Sequence, residues 1–161
     1  MAKKKIKKTL VEQILTKAGI EYQAHQFNGL EGQTPDDINR KQIFKTLALK
    51  GDKTGPLIGV LSIEDHLAEK KLAALSGNKK VQMIPQKDLE KTTGYVHGAN
   101  NPVGIRQRHQ YPIYFDDRAL DFSSILVSSG EIGQSVQVNP QELAQFVDAS
   151  FANFREKGEE K

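Results

Sequence analysis

The chain has 161 residues, 37% of them hydrophobic and 27% charged, which describes one soluble globular domain with room for a hydrophobic core. It holds no cysteine, so disulfides, thiolate metal sites and a cysteine nucleophile are excluded, and its four histidines (His25, His66, His97, His109) show no metal-ligand spacing. No metal or other cofactor is therefore expected, and the net charge of +3 with a pI near 9.0 permits an RNA partner without demanding one.

Residues 1–8 form a basic arm without the apolar core of a secretory signal, and no apolar run is long enough to cross a bilayer, so a cytoplasmic protein is expected. Thr9 to Ala18 places Leu10, Val11, Ile14, Leu15 and Ala18 on one face of a helix, with Gly19 as its stop. Ile20 to Phe27 alternates and reads as a strand, and the polar stretch from Asn28 to Asn39 reads as a loop. Gln42 to Leu49 is a second strand, on which Lys45 shares a face with Ile43 and Leu47. A lysine in an apolar row either snorkels to an edge or points into a pocket, and the residues alone favour snorkelling. A turn over Gly51 to Pro56 returns the chain as a strand from Leu57 to Ile63.

Ser62 with Asp65 three residues on resembles a capping box, which predicts a helix from Ser62 or Ile63 to Leu75, closed by Gly77. Val81 to Ile84 reads as a short strand, and Pro85 starts a short helix over Gln86 to Lys91. Thr93 to Gly104 then holds three glycines, two asparagines and a proline between apolar segments. It reads as a loop whose N–H groups, free of any ladder, suit a carbonyl oxygen or a phosphate. Strands follow at Pro112 to Phe115, Ser124 to Ser128 and Gln134 to Val138, the last two flanking a glycine turn at Ser129 to Gly133. Asn139 as N-cap, Pro140 at the first position and Glu142 at the third open a final helix, whose buried face is read as Leu143, Phe146, Val147, Phe151 and Phe154. The charged residues 156–161 read as a tail, leaving 9–155 as a single domain without repeats.

Hairpins with interspersed helices predict an α/β (α+β) fold around a curved, mixed, mostly antiparallel sheet. The glycines fit neither a phosphate-binding P-loop nor a dinucleotide fingerprint.

Phe44-Lys45-Thr46-Leu47, then Thr93-Gly94-Tyr95 with Gly98, Pro102 and Gly104, then Val127-Ser128 with Gly130 and Gly133 resemble the three signatures of the YbaK/EbsC family. These are aminoacyl-tRNA deacylases related to the editing domain of bacterial prolyl-tRNA synthetase. The resemblance runs from about Leu10 to Phe154. It implies a pocket for the 3′-terminal adenosine carrying a wrongly attached amino acid. It assigns Lys45 as the lysine needed for activity, reversing the snorkelling reading. It places Thr46, Gly94, Tyr95, Gly98, Ala99, Asn101, Pro102, Gly104, Ser128, Ser129 and Gly130 against the substrate, with Tyr22 near an aromatic that lines the site. Ala99, Asn101 and Ser129 depart from the residues usual in the family, as does the polar 28–40 segment, which bears on amino-acid preference.

The bond to be broken is an ester between an amino acid and a ribose hydroxyl. No Ser/His/Asp arrangement activates a nucleophile here, and Ser128 reads as pocket wall. The resemblance implies that cysteine is removed from Cys-tRNA(Pro), and from Cys-tRNA(Cys), by attack of the substrate's own thiol. Backbone N–H groups of Gly98 to Gly104 would then face the oxyanion. An Ala- or Ser-tRNA(Pro) hydrolase using water, and a non-catalytic module that binds aminoacyl-tRNA or a synthetase, remain the alternatives. The expected partners are the tRNA acceptor end, contacted through Lys70, Lys71, Lys79, Lys80, Arg106 and Arg108, and prolyl-tRNA synthetase, with the protein a monomer and no membrane contact.

Overall fold

The computed structural model of the chain describes residues 8–26 and 38–156. The basic arm apart from Lys8, the polar stretch up to residue 37, and the tail beyond Glu156 lie outside the described residues. Helix α1 (Leu10–Ala18) starts where Thr9 and Glu12 exchange side-chain and backbone hydrogen bonds at 3.1 Å each, and it stops at Gly19, whose φ of 77° suits a residue without Cβ. Strand β1 (Tyr22–Gln26) follows, then, after a 3-10 turn at Arg40–Gln42, the long hairpin of β2 (Phe44–Gly51) and β3 (Gly55–Ser62).

The remaining elements in order are α2 (Glu69–Ser76), β4 (Val81–Met83), α3 (Gln86–Thr93), α4 (Pro102–Arg108), β5 (Ile113–Asp116), β6 (Ile125–Ser128), β7 (Gln134–Val138), α5 (Pro140–Val147) and β8 (Ser150–Ala152), with a second 3-10 turn at Asp117–Asp121. They build two sheets. One has the order β1-β7-β6 and is antiparallel; the other has the order β4-β2-β3-β5-β8, with β5 parallel to both of its neighbours. A parallel bridge from Ile43 to Leu126 joins the sheets at one corner. The fold is thus the expected mixed α/β single domain.

β3 is buried on both faces, which explains its unbroken apolar run. Ile58 and Val60 face the main core with Val11, Leu15, Phe115, Val127, Val136 and Leu143, while Leu57 and Leu61 face a smaller core with Leu49, Leu72 and Phe154 under α2. Gly59 gives close packing its room: a Cβ there would meet Leu67 at 3.1 Å and Phe154 at 3.3 Å, so those side chains would have to shift by a few tenths of an ångström.

Three sequence expectations are corrected. The helix read from Ser62 begins only at Glu69: Ser62 Oγ accepts from Glu64 N–H in a turn, and Asp65 is drawn instead to Arg118, 53 residues away. The segment read as a loop up to Gly104 already starts α4 at Pro102, with Asn101 as its N-cap. The final helix ends at Val147, where Asp148 adopts φ 58°, so Phe151 belongs to β8 and Phe154 to the smaller core.

Candidate functional site

Hydrogen bonding along β2 decides where the sheet is open. In an antiparallel pair only alternate residues bond the partner strand. Ile63 N–H donates to the Ile43 carbonyl at 2.8 Å and the register continues through Lys45↔Leu61 and Leu47↔Gly59, so the odd residues of β2 are spent on β3. The even residues turn their backbone to the other edge, where the Ala48 carbonyl accepts from Ile84 N–H at 3.1 Å. β4 pairs only with Leu49 to Gly51, and the bridge to β6 lies at Ile43, just before β2. Between those pairings no strand among the described residues is paired with Thr46 on this edge.

A cavity of about 300 Å³ opens along this gap. Its walls are β2 from Ile43 to Ala48, the β4–α3 segment with Met83, Ile84 and Leu89, the loop residues His97, Gly98 and Asn100, and the β6–β7 end with Ser128 and Gln134. It therefore brings Lys45, Thr46, Gly98 and Ser128 together from the three separate motifs. A second, more open hollow shares Lys45, Leu47 and Met83 with it and is completed by His66, Glu69 and Glu156, so Lys45 stands at the divide.

Lys45 is half-buried, and its Nζ donates to the backbone carbonyl of Asp65 at 2.7 Å. Burial pushes its pKa below the ordinary 10.5, opposed by the nearby Asp65 carboxylate. Two buried side-chain oxygens on the wall, the Thr46 hydroxyl and Asn100 Oδ1, have no hydrogen-bond partner among the described residues. The orientation of Asn100 follows from its surroundings: Nδ2 donates to the Val96 carbonyl at 3.3 Å, which leaves Oδ1 as the unpaired end. An unmatched buried polar atom is costly, so Asn100 Oδ1 suits a ligand that brings a donor and the Thr46 hydroxyl one that brings either a donor or an acceptor.

Ser128 is held by the fold. Its Oγ accepts from Gly130 N–H at 3.1 Å and lies 3.5 Å from the Gly98 carbonyl, and among the described residues no histidine or carboxylate bonds it. Of the loop donors expected to face an oxyanion, Ala99 N–H is spent on the Val96 carbonyl, Gly104 N–H caps onto Asn101 Oδ1, and Pro102 has none. Gly98 and Asn100 remain as the wall residues whose N–H groups bond no described residue.

The other predicted residues sit behind the wall. Asn101 is fully buried, its Nδ2 on the Ala99 carbonyl at 3.0 Å and its Oδ1 on α4. Ala99 and Pro102 are buried beside it, and Gly94 ends α3 with φ 89°. The Tyr95 ring lies against Gly104 and Gly130, with the Arg108 guanidinium 5.6 Å from its centre. Ser129 is buried, its Oγ without a partner among the described residues, and it does not line the cavity. Tyr22, on β1, hydrogen-bonds Thr16 at 3.1 Å, away from the cavity. The sequence reading missed Asn100, whose only signal was an amide inside a glycine-rich loop, and Met83, Ile84 and Leu89, which any amphipathic segment could supply.

The family model of the aminoacyl-tRNA editing domain matches residues 24–146. A protein of Enterococcus faecalis (strain ATCC 700802 / V583) named "Putative Cys-tRNA(Pro)/Cys-tRNA(Cys) deacylase EbsC" is 36% identical over 165 residues, covering 98% of this chain and 99% of the relative. Among solved structures, one described as "Crystal structure of a putative trans-editing enzyme for prolyl tRNA synthetase" superposes with a TM-score of 0.78 at 22% identity, over 91% of this chain and 95% of its own. Another, of hypothetical protein APE2540, gives a TM-score of 0.81 at 19% identity, over 91% and 99%. At such identities the structural likeness speaks for the fold.

Proposed function

This chain belongs to the aminoacyl-tRNA editing domain family, and from that premise we propose that it is a trans-editing deacylase that removes cysteine from mischarged Cys-tRNA(Pro), and from Cys-tRNA(Cys). The observation that carries the reading is a cavity with a cation and two unmatched buried oxygens but no activated nucleophile among the described residues. A site built to hold an ester and not to attack it needs a substrate that attacks itself.

Cysteine supplies that group. Its thiol titrates at about 8.5, so a few per cent is thiolate near neutral pH, and thiolate is strongly nucleophilic. The sulfur attacks the ester carbonyl of the same residue. The new C–S bond closes a thiolactone, the C–O bond to the ribose breaks, and the thiol proton passes to the departing ribose oxygen. Holding sulfur against carbonyl contributes up to roughly 7–11 kcal/mol of barrier reduction for well-oriented groups. The Gly98 and Asn100 N–H groups stabilise the oxyanion, at roughly 3 kcal/mol for a well-placed donor. Lys45 offsets the negative charge that grows on the leaving oxygen, and Thr46 and Asn100 accept from the ribose hydroxyls and the α-ammonium.

The partner is the acceptor end of tRNA, delivered alone or on prolyl-tRNA synthetase to a monomeric cytoplasmic enzyme. No helix among the described residues is long and apolar enough to cross a membrane. Phosphate contacts fall to Lys70, Lys79 and Lys80, which are exposed, more than to Lys71 and Arg106, whose head groups are bonded to the Arg155 and Val147 carbonyls.

The test is the decay of labelled tRNA(Pro) carrying Cys, Ala or Ser with wild type and Lys45→Ala. Rapid loss of Cys alone, abolished by Lys45→Ala in a folded protein, is expected. Loss of Ala or Ser would make the protein a water-using hydrolase, and stable esters throughout would leave it a binding module.

A further inference from the structure

Lys45 and Asp65 are neighbours that do not form an ion pair. The Lys45 ammonium donates to the neutral backbone carbonyl of Asp65 at 2.7 Å, while the Asp65 carboxylate is turned to Arg118, whose Nε donates to Oδ2 at 2.6 Å. The side chains of that ion pair are only 16% and 21% exposed. Arg118 is itself anchored: its N–H donates to Asp116 Oδ2 at 3.1 Å, and fully buried Asp116 also takes the Phe154 N–H at 3.1 Å and an ion pair from Arg155. The relay therefore ties Arg155 to the divide between the two hollows where Lys45 stands.

We propose that Arg118 is a positioning residue for Lys45: by occupying the Asp65 carboxylate it keeps the ammonium on a neutral carbonyl, with its charge available to the bound ester. This rests on the reading of Lys45 given above. Without Arg118, the carboxylate would be a buried, unpaired anion within reach of a cation, and the two would collapse into a pair. A lysine captured in this way has its charge cancelled and its position shifted, and a misplacement of about 1 Å in a catalytic arrangement can cost roughly 100-fold. The titratable groups that line the same hollows as Lys45, besides the neighbouring Asp65, are His97 in the cavity and His66, Glu69 and Glu156 in the more open one. Of all these carboxylates only Asp65 carries an arginine partner in the described structure.

The experiment has two readouts on Arg118→Leu, Asp65→Asn and the double variant. The first is titration of the Lys45 ε-methylene by NMR in the free protein. Arg118→Leu moves it to higher pH, Asp65→Asn to lower pH, and the double variant follows Asp65→Asn. The second is single-turnover deacylation of Cys-tRNA(Pro), in which Arg118→Leu loses roughly 10- to 100-fold in rate with little change in KM, and adding Asp65→Asn recovers most of it. An Lys45 titration unmoved by Arg118→Leu overturns the proposal, as does a rate loss that Asp65→Asn fails to recover in folded protein. If Arg118→Leu does not fold, Arg118→Lys and Asp65→Asn carry the same readouts with smaller shifts. A wild type that cleaves no ester defeats the deacylase reading alone, because the NMR titration needs no substrate.

Discussion

The hydroxyl of Tyr95 fills the space where a side chain on residue 104 would begin: a Cβ placed on Gly104 falls on the oxygen end of the ring. The ring would have to shift to admit it, and Arg108 lies over one face of that ring, its guanidinium 5.6 Å from the centre. Tyr95 thereby sits between the start of α4 and the turn between β6 and β7, two segments behind the wall that no strand pairing joins. Gly104→Ala is expected to lose about 1–3 kcal/mol in urea unfolding, the usual cost of overpacking. Tyr95→Phe in the same chain should recover part of that loss. Equal stability of Gly104→Ala and wild type would show that the ring has room to retreat.

How much of this was legible in the sequence depends on whether the partner was local. Gly19, Gly77 and the Asn139-Pro140 start of α5 act within a few residues, and the sequence marks all three. Asn101-Pro102 is the same start signal at α4, but it lies inside a glycine-rich stretch and was read as loop. The Ser62–Asp65 pair mimicked a cap because its true partner, Arg118, is distant in sequence and arrives only with the fold. β8 was hidden behind Asp148, since a left-handed aspartate leaves no mark on the apolar pattern that continues to Phe151. At the site, the motif positions Lys45, Thr46, Gly98 and Ser128 could be named from sequence, whereas Asn100 became visible only as an acceptor without a donor.

The pH dependence follows from the burial of Lys45. Its folded pKa lies below 10.5, so the ammonium is lost at a pH where a free lysine would keep it. Deacylation that needs the charged form should fall away on the alkaline side before pH 10.5 is reached. The sign for stability is opposite. Between the lowered folded value and the ordinary one, the unfolded chain binds more protons, so this group's contribution to stability rises with pH. A rate profile falling through that window while the thermal midpoint shows no matching loss is the expected result. An alkaline limb unchanged in Lys45→Arg would assign the titration to another group, because arginine stays charged throughout.

Asp148 ends α5 with φ 58° and ψ 46°, its N–H bonded to the Ala144 and Gln145 carbonyls. Aspartate tolerates that conformation less well than glycine, and its negative charge sits at the end of the helix where carbonyls already concentrate negative potential. Asp148→Gly should stabilise the protein by about 0.5–1 kcal/mol and raise the urea midpoint without changing the slope. A lower midpoint would mean that the carboxylate makes a compensating contact in solution.

Asn100→Leu separates binding from stability. The substitution keeps the shape of the side chain and removes Oδ1, the acceptor that meets no donor among the described residues. The Nδ2 bond to the Val96 carbonyl is lost as well, but that carbonyl keeps Ala99 N–H at 3.0 Å, so no new unpaired group is created. A buried acceptor without a partner costs about 1–3 kcal/mol, so the leucine variant should unfold at the same or higher urea concentration. Its kcat/KM for Cys-tRNA(Pro) should nevertheless drop by roughly tenfold or more, since a substrate donor then faces a methyl group. A variant that is destabilised and fully active would make Asn100 a structural residue whose unpaired oxygen finds water. Stability gained together with activity lost is the signature of a polar atom kept for its ligand.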